Sequence, residues 1–181
     1  MDLDAWLPNP VIRSRHRRTS TADLDALWHA AEAVRLNETR TLGRLVRWRI
    51  PGVPADTAFR DLFRAHPFAV LDEGDGWSVS GLVGRIWTLE RDYPRLEGPD
   101  AFRAWDERGA AKVVFAHWVE ETAKGSALIS EARVAGTDRR AALRLRALWT
   151  LVGGFERLIG GEALALAARR ATPSSGHRVD G

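Results

Sequence analysis

The sequence predicts an α+β fold in which a run of antiparallel strands lies between two helical stretches of the chain, and three observations carry that prediction. Two hairpin signals stand in the middle of the chain, an Asp75-Gly76 dipeptide and the turn Thr122 to Gly125 between strictly alternating segments. Acid-capped amphipathic stripes precede them, and a helical period of about thirty residues follows from Thr137 or Asp138. With 181 residues, 45% hydrophobic, 28% charged and no cysteine, the composition is that of one globular domain. It excludes a disulfide-built miniprotein, a collagen-like chain and a chain that is a disordered tail as a whole.

Taken in order, Val11 to Ser20 alternates loosely and reads as a first strand, polar on at least one face. Ser20 or Thr21 is the expected N-cap of a helix with Asp23 and Asp25 in its first turn and Leu24, Leu27, Trp28, Ala31 and Val34 on one stripe. Asn37 is the expected cap of a second helix carrying Leu42, Leu45, Val46 and Ile50, which Pro51-Gly52 ends. A short amphipathic turn follows through Phe59, Leu62 and Phe63. Phe68 to Leu71 and Trp77 to Ile86 then flank the Asp-Gly turn, and on the second of these either parity, Ser78 and Ser80 or Trp77 and Val79, can face inward. Pro99 starts another short helix. In the second hairpin Val113, Phe115, His117 and Val119 share one face, and Leu128, Ser130, Ala132 and Val134 are their counterparts across the turn; these are the expected inner faces. The long helix places Leu145, Leu148, Val152, Phe155, Ile159 and Leu166 in three-four spacing, interrupted by Gly153-Gly154 and Gly160-Gly161.

This order, a strand, two helices, antiparallel strands and one long C-terminal helix, is that of the helix-grip fold, in which a curved sheet wraps the last helix around a cavity. The segment Thr19 to Trp28 resembles the strand-to-helix junction of the SRPBCC superfamily (START-like, Bet v 1-like, polyketide cyclase and lipid-transport proteins), with Ala22 where a proline is usual. Gly84-Arg-Ile-Trp87, Phe102-Arg-Ala-Trp-Asp106, Gly109-Ala-Ala-Lys112 and Ser126 to Val134 followed by Thr137-Asp138 are similar to a bacterial subgroup of uncharacterised members. The resemblance covers about Ile12 to Ala171. It implies a Bet v 1/START-like α+β fold and a hydrophobic or amphipathic small-molecule ligand, and it brings no catalytic set with it. Domain boundaries follow: an N-terminal extension at 1–10, a single helix-grip domain at 11–171 and a disordered tail at 172–181.

The pI of about 10.1 accompanies a net charge of only +3. With two lysines, one tyrosine and no cysteine, little titrates between histidine and arginine, so a small arginine surplus carries the pI upward. Nucleic acid is therefore not an expected partner. The acidic N-terminus lacks a signal-peptide pattern, and Glu156, Arg157 and Glu162 interrupt the most apolar stretch, so a cytoplasmic protein without stable membrane insertion, monomeric or dimeric, is expected. The chain contains no HExxH, Walker A, GxSxG or GxGxxG motif, its five histidines are scattered, and neither metal nor cofactor is expected.

His117 is the candidate catalytic or anchoring residue, placed by alternation among Phe115 and Val119 and near Ser130. Its bland reading is a histidine hydrogen-bonded in the core. The expected cavity wall comprises Phe115, His117, Val119, Leu128, Ser130, Ala132, Val152, Phe155, Ile159 and Glu162, the last either an acid partner for His117 or a solvated flank residue. Arg13, Arg15 and Arg17 share a strand face, where they meet an anionic headgroup or pair with the acids of the chain. Three functions stand: binding or transport of a hydrophobic small molecule or lipid, a cyclase or dehydratase-like enzyme using His117 as base, and an interaction module with a collapsed cavity.

Overall fold

A computed structural model describes residues 1–88, 90 and 93–172, the side chains of 151–160 excepted. In chain order the elements are β1 (Ile12–Ser20), α1 (Leu24–Glu32), a 3-10 turn (Leu36–Glu38), α2 (Leu42–Arg49), α3 (Phe59–Leu62), β2 (Ala69–Gly74), β3 (Trp77–Gly84), α4 (Pro99–Ala104), β4 (Ala111–Thr122), β5 (Gly125–Gly136), α5 (Arg139–Gly160) and α6 (Glu162–Ala171). The five strands form one open antiparallel sheet in the order β1-β5-β4-β3-β2. The architecture is α+β, as the pattern predicts.

Local chemistry explains most of the boundaries. Asp75-Gly76 closes the β2–β3 hairpin with Gly76 at φ 74°, the left-handed region a two-residue turn needs. Leu71 bulges out of register between Val70 and Asp72, and Gly81, the partner of Ala69, is tight: a Cβ there would lie 2.8 Å from the Phe102 ring. Asp23, rather than Ser20 or Thr21, caps α1, its Oδ1 accepting from Ala26 N at 2.7 Å. Ser20 instead accepts from Ala22 N on the way into the helix. Asn37 lies inside the 3-10 turn and does not cap α2, which begins at Leu42.

The expected single long C-terminal helix is two. The helical period runs on through 171, but Gly160-Gly161 breaks the backbone and α6 starts afresh at Glu162. The tail expected at 172–181 lies, beyond Thr172, outside the described residues.

Both faces of the sheet are covered. On the outer face Val79, Val83, Val114 and Ala116 pack under Phe102 of α4 and under Leu3, Trp6 and Leu7 of the N-terminal segment. Trp6 meets Phe102 edge-on at 6.4 Å, and the Arg103 guanidinium sits 4.0 Å above the Trp6 ring. Among the helices on the inner face, α6 packs on α1 and β1, and α5 crosses β5 and β1.

Candidate ligand cavity

Alternation carries one side chain in two to the inner face, and there the strands do not meet the helices in solid packing. Ile12, Ser14 and His16 of β1, Ser78, Ser80 and Leu82 of β3, Val113, Phe115 and His117 of β4, and Leu128, Ser130, Ala132 and Val134 of β5 line a cavity of about 580 Å³. This settles the parity of β3 in favour of its serines. The opposite wall comes from the helices: Trp28 of α1, Leu42, Leu45, Val46 and Arg49 of α2, Phe59 of α3 with Phe63 after it, Leu148 and Trp149 of α5, and Ala163 and Leu164 of α6. The lining is overwhelmingly apolar and aromatic, and the volume suits a drug-sized ligand.

Its polar groups are not scattered. Glu73 pairs in register with Ser78, Ser78 with His117, His117 with Ser130, and Ser130 with His16, so one polar residue from each of the five strands stands in a single row across the inner face. Neighbouring strands lie about 4.8 Å apart, so the row offers hydrogen-bonding groups at that interval along the cavity floor. His16 is tied to Ser14, Oγ to Nε2 at 3.2 Å. Glu73 stands at the exposed rim and accepts from Arg64 at 2.6 Å.

His117 sits at the middle of the row. No hydrogen bond joins its ring nitrogens to another described residue, and Phe63 lies against the ring, centroids 4.7 Å apart. What surface the imidazole keeps faces the cavity, and removal from bulk water pushes its pKa down to about 4, so the ring is neutral at pH 7. A neutral imidazole offers one donor and one acceptor.

The charged residues on the lining are committed elsewhere. Arg60 and Arg64 approach Glu32 at 3.8 and 3.9 Å, and Arg49 donates to the Ile86 carbonyl at 3.3 Å while stacking on Tyr93 at 5.0 Å. These are rim contacts and stabilise little individually.

The other expected wall residues divide. Val119 shares the face of His117 but packs with Leu27, Val34 and Leu128 in the core beyond the cavity. The side chains of Val152, Phe155 and Ile159 lie outside the described residues. Glu162 is neither a partner of His117 nor free in solvent. Its carboxylate accepts from the backbone N–H of Arg40 and, at 3.0 Å each, of Thr41 and Leu42, filling the N-terminus of α2 from another helix. Burial raises its pKa, the three backbone donors lower it, and the donors prevail. Alternation would have found Ser78 and His16 once the parity of β3 and β1 was known. Glu73 lies beyond the Leu71 bulge, where parity changes.

On the outer face Arg13 pairs with Glu131 at 2.9 Å, Arg17 with Glu120 at 2.9 Å, and Arg15 lies 5.1 Å over Trp118, so this stripe is matched within the protein. Among the described residues no group of three or more histidines or carboxylates is placed to hold a metal ion, and no helix is long and apolar enough to cross a membrane.

No protein-family model matches the chain, and no curated protein does. Solved structures show remote likenesses: a protein of Nitrosomonas europaea at 10% identity, covering 89% of this chain and 94% of that one with a TM-score of 0.40. A protein of Mesorhizobium loti follows at 13% identity, 87% and 98% coverage and 0.40, and one of Chromobacterium violaceum at 11%, 90% and 99%, and 0.35. Likenesses at this level assign no function.

Proposed function

We propose that the protein binds or carries a hydrophobic small molecule or lipid in the inner-face cavity, in an arrangement of the helix-grip, SRPBCC type with α5 and α6 together serving as the gripped helix. The observation that carries the reading is an apolar cavity of about 580 Å³ crossed by one polar row with an unpartnered neutral imidazole at its centre. Apolar walls favour a guest that sheds water, at roughly 25 cal/mol per Å² of apolar surface removed from water. The row favours a guest with an uncharged hydroxyl or carbonyl at one end, because a buried polar group left unpaired costs about 1–3 kcal/mol.

The enzyme reading has less support. A base works best with a pKa near the working pH, and an imidazole held near 4, flanked in register by Ser78 and Ser130, is a weak one. A cavity of this size also argues against the interaction module, which needs none.

Native mass spectrometry of protein purified under non-denaturing conditions tests the proposal. The expected result is a stoichiometric hydrophobic guest retained by the wild type and depleted in His117→Leu. No guest, together with no binding across a panel of long-chain alcohols, fatty acids and sterols, overturns it.

A further inference from the structure

We propose that α2 is a docking face for anionic lipid bilayers, set so that the cavity mouth opens at the membrane surface. The helix reads Leu-Gly-Arg-Leu-Val-Arg-Trp-Arg and carries no acidic residue. Its spacing divides it into two faces. Leu42, Val46, Arg49 and Ile50, at intervals of four, three and one, all line the cavity. Arg44, Arg47 and Trp48, at intervals of three and one, point outward with Arg44 and Arg47 exposed and Trp48 53% exposed. Leu45 stands between the faces, lining the cavity while 37% exposed, so α2 forms part of the mouth.

The arginines of the molecule divide into those with a carboxylate partner and those, on α2, α5 and elsewhere, with none among the described residues. Arg13, Arg17, Arg35, Arg60, Arg64, Arg103, Arg133 and Arg170 each have a carboxylate partner. Arg44 and Arg47 have none among the described residues. Two unmatched guanidiniums on one exposed face complement a phosphate-bearing surface. The company of a large exposed indole and an exposed leucine distinguishes a bilayer from a nucleic acid, because tryptophan settles at the headgroup level and leucine in the acyl boundary beneath it. The site is interfacial and consistent with the lack of a spanning helix among the described residues. It also gives a hydrophobic guest a path from bilayer to cavity that avoids water.

Co-sedimentation of the intact, folded protein with vesicles tests this independently of what the cavity holds. Vesicles of phosphatidylcholine alone are compared with vesicles in which one third is phosphatidylglycerol. Binding is expected only to the anionic vesicles, and it weakens when salt is raised to about 1 M, where the Debye length falls to about 3 Å. R44Q/R47Q weakens it by about twenty-five-fold, from about fivefold for each basic residue near an anionic surface, and W48A weakens it further. R18E/K124E, which alters charge on the edge strand and the hairpin tip, leaves binding within about twofold. Circular dichroism melts confirm that the variants fold. Equal binding to both vesicle types, no binding to either, or binding indifferent to R44Q/R47Q overturns the proposal, and so does binding to heparin without binding to vesicles.

Discussion

Glu131 and His117 lie on adjacent strands one register step apart, Glu131 opposite Ala116 and His117 opposite Ser130, yet they face opposite sides of the sheet and live in opposite regimes. Glu131 is 2% exposed and fully matched: Arg133 donates to it at 2.7 Å and Arg13 at 3.1 Å, while Arg133 continues to Asp4 at 2.5 Å and to the Leu7 carbonyl at 3.2 Å. His117 has no such matching and faces open space. The same two strands build a closed, charge-satisfied core on one side and an unfilled wall on the other. Polar groups satisfied by the protein hold the fold together, and one left unsatisfied beside a cavity is available to something that is not the protein.

Replacing polar by apolar side chains should therefore have unequal effects on the two faces. The largest is expected for Glu131→Leu, which strands the buried Arg133 guanidinium and loosens the Asp4 strap: a loss of about 3–5 kcal/mol in urea or guanidinium unfolding. An unchanged midpoint would mean that the N-terminal segment is not part of the core.

Acid is the next lever. The His117 pKa lies near 6.5 in the unfolded chain and is pushed to about 4 in the folded one, so the unfolded state takes up its proton first as pH falls. Stability present above about pH 6.5 is lost progressively down to about pH 4, by at most about 3 kcal/mol. His117→Leu should be free of that loss, and parallel pH curves for the two proteins would contradict the placement of the ring. Glu162→Ala should lower stability by about 1–2 kcal/mol by leaving three α2 backbone donors unfilled, measurable as a drop in melting temperature. At neutral pH the smallest effect is that of His117→Leu itself, which is neutral or mildly stabilising in the empty protein while weakening a polar guest. A loss comparable to that of Glu131→Leu would show that His117 is structural after all.

How far the sequence discloses this depends on whether a feature is local. Alternation in β4 and β5 was legible because Val113, Phe115 and His117 oppose Lys112, Ala116 and Trp118 without ambiguity, and the Asp75-Gly76 turn announces its own conformation. The parity of β3 was not legible, because its outer face is also buried, beneath Leu3, Trp6 and Leu7, and takes the more apolar alternation of Trp77, Val79 and Val83, leaving Ser78 and Ser80 to the cavity. The role of Glu162 was invisible for a related reason: its partners lie some 120 residues upstream. The break between α5 and α6 was marked by Gly160-Gly161, but the apolar period continued through it. The polar row needs the register of all five strands at once, which no single strand carries.

The most direct test of the central claim, that the inner face is a binding cavity and the outer face a core, is a fluorescence titration with the neutral apolar dye Nile red. It compares the wild type with Ala132→Phe, which grows a ring into the cavity floor beside the polar row, and with Ala116→Phe, the corresponding change on the outer face. Saturable one-to-one binding by the wild type that Ala132→Phe abolishes while remaining folded is expected, with Ala116→Phe destabilised by about 1–3 kcal/mol through overpacking. Dye binding that survives Ala132→Phe undiminished, or none in the wild type, would contradict it.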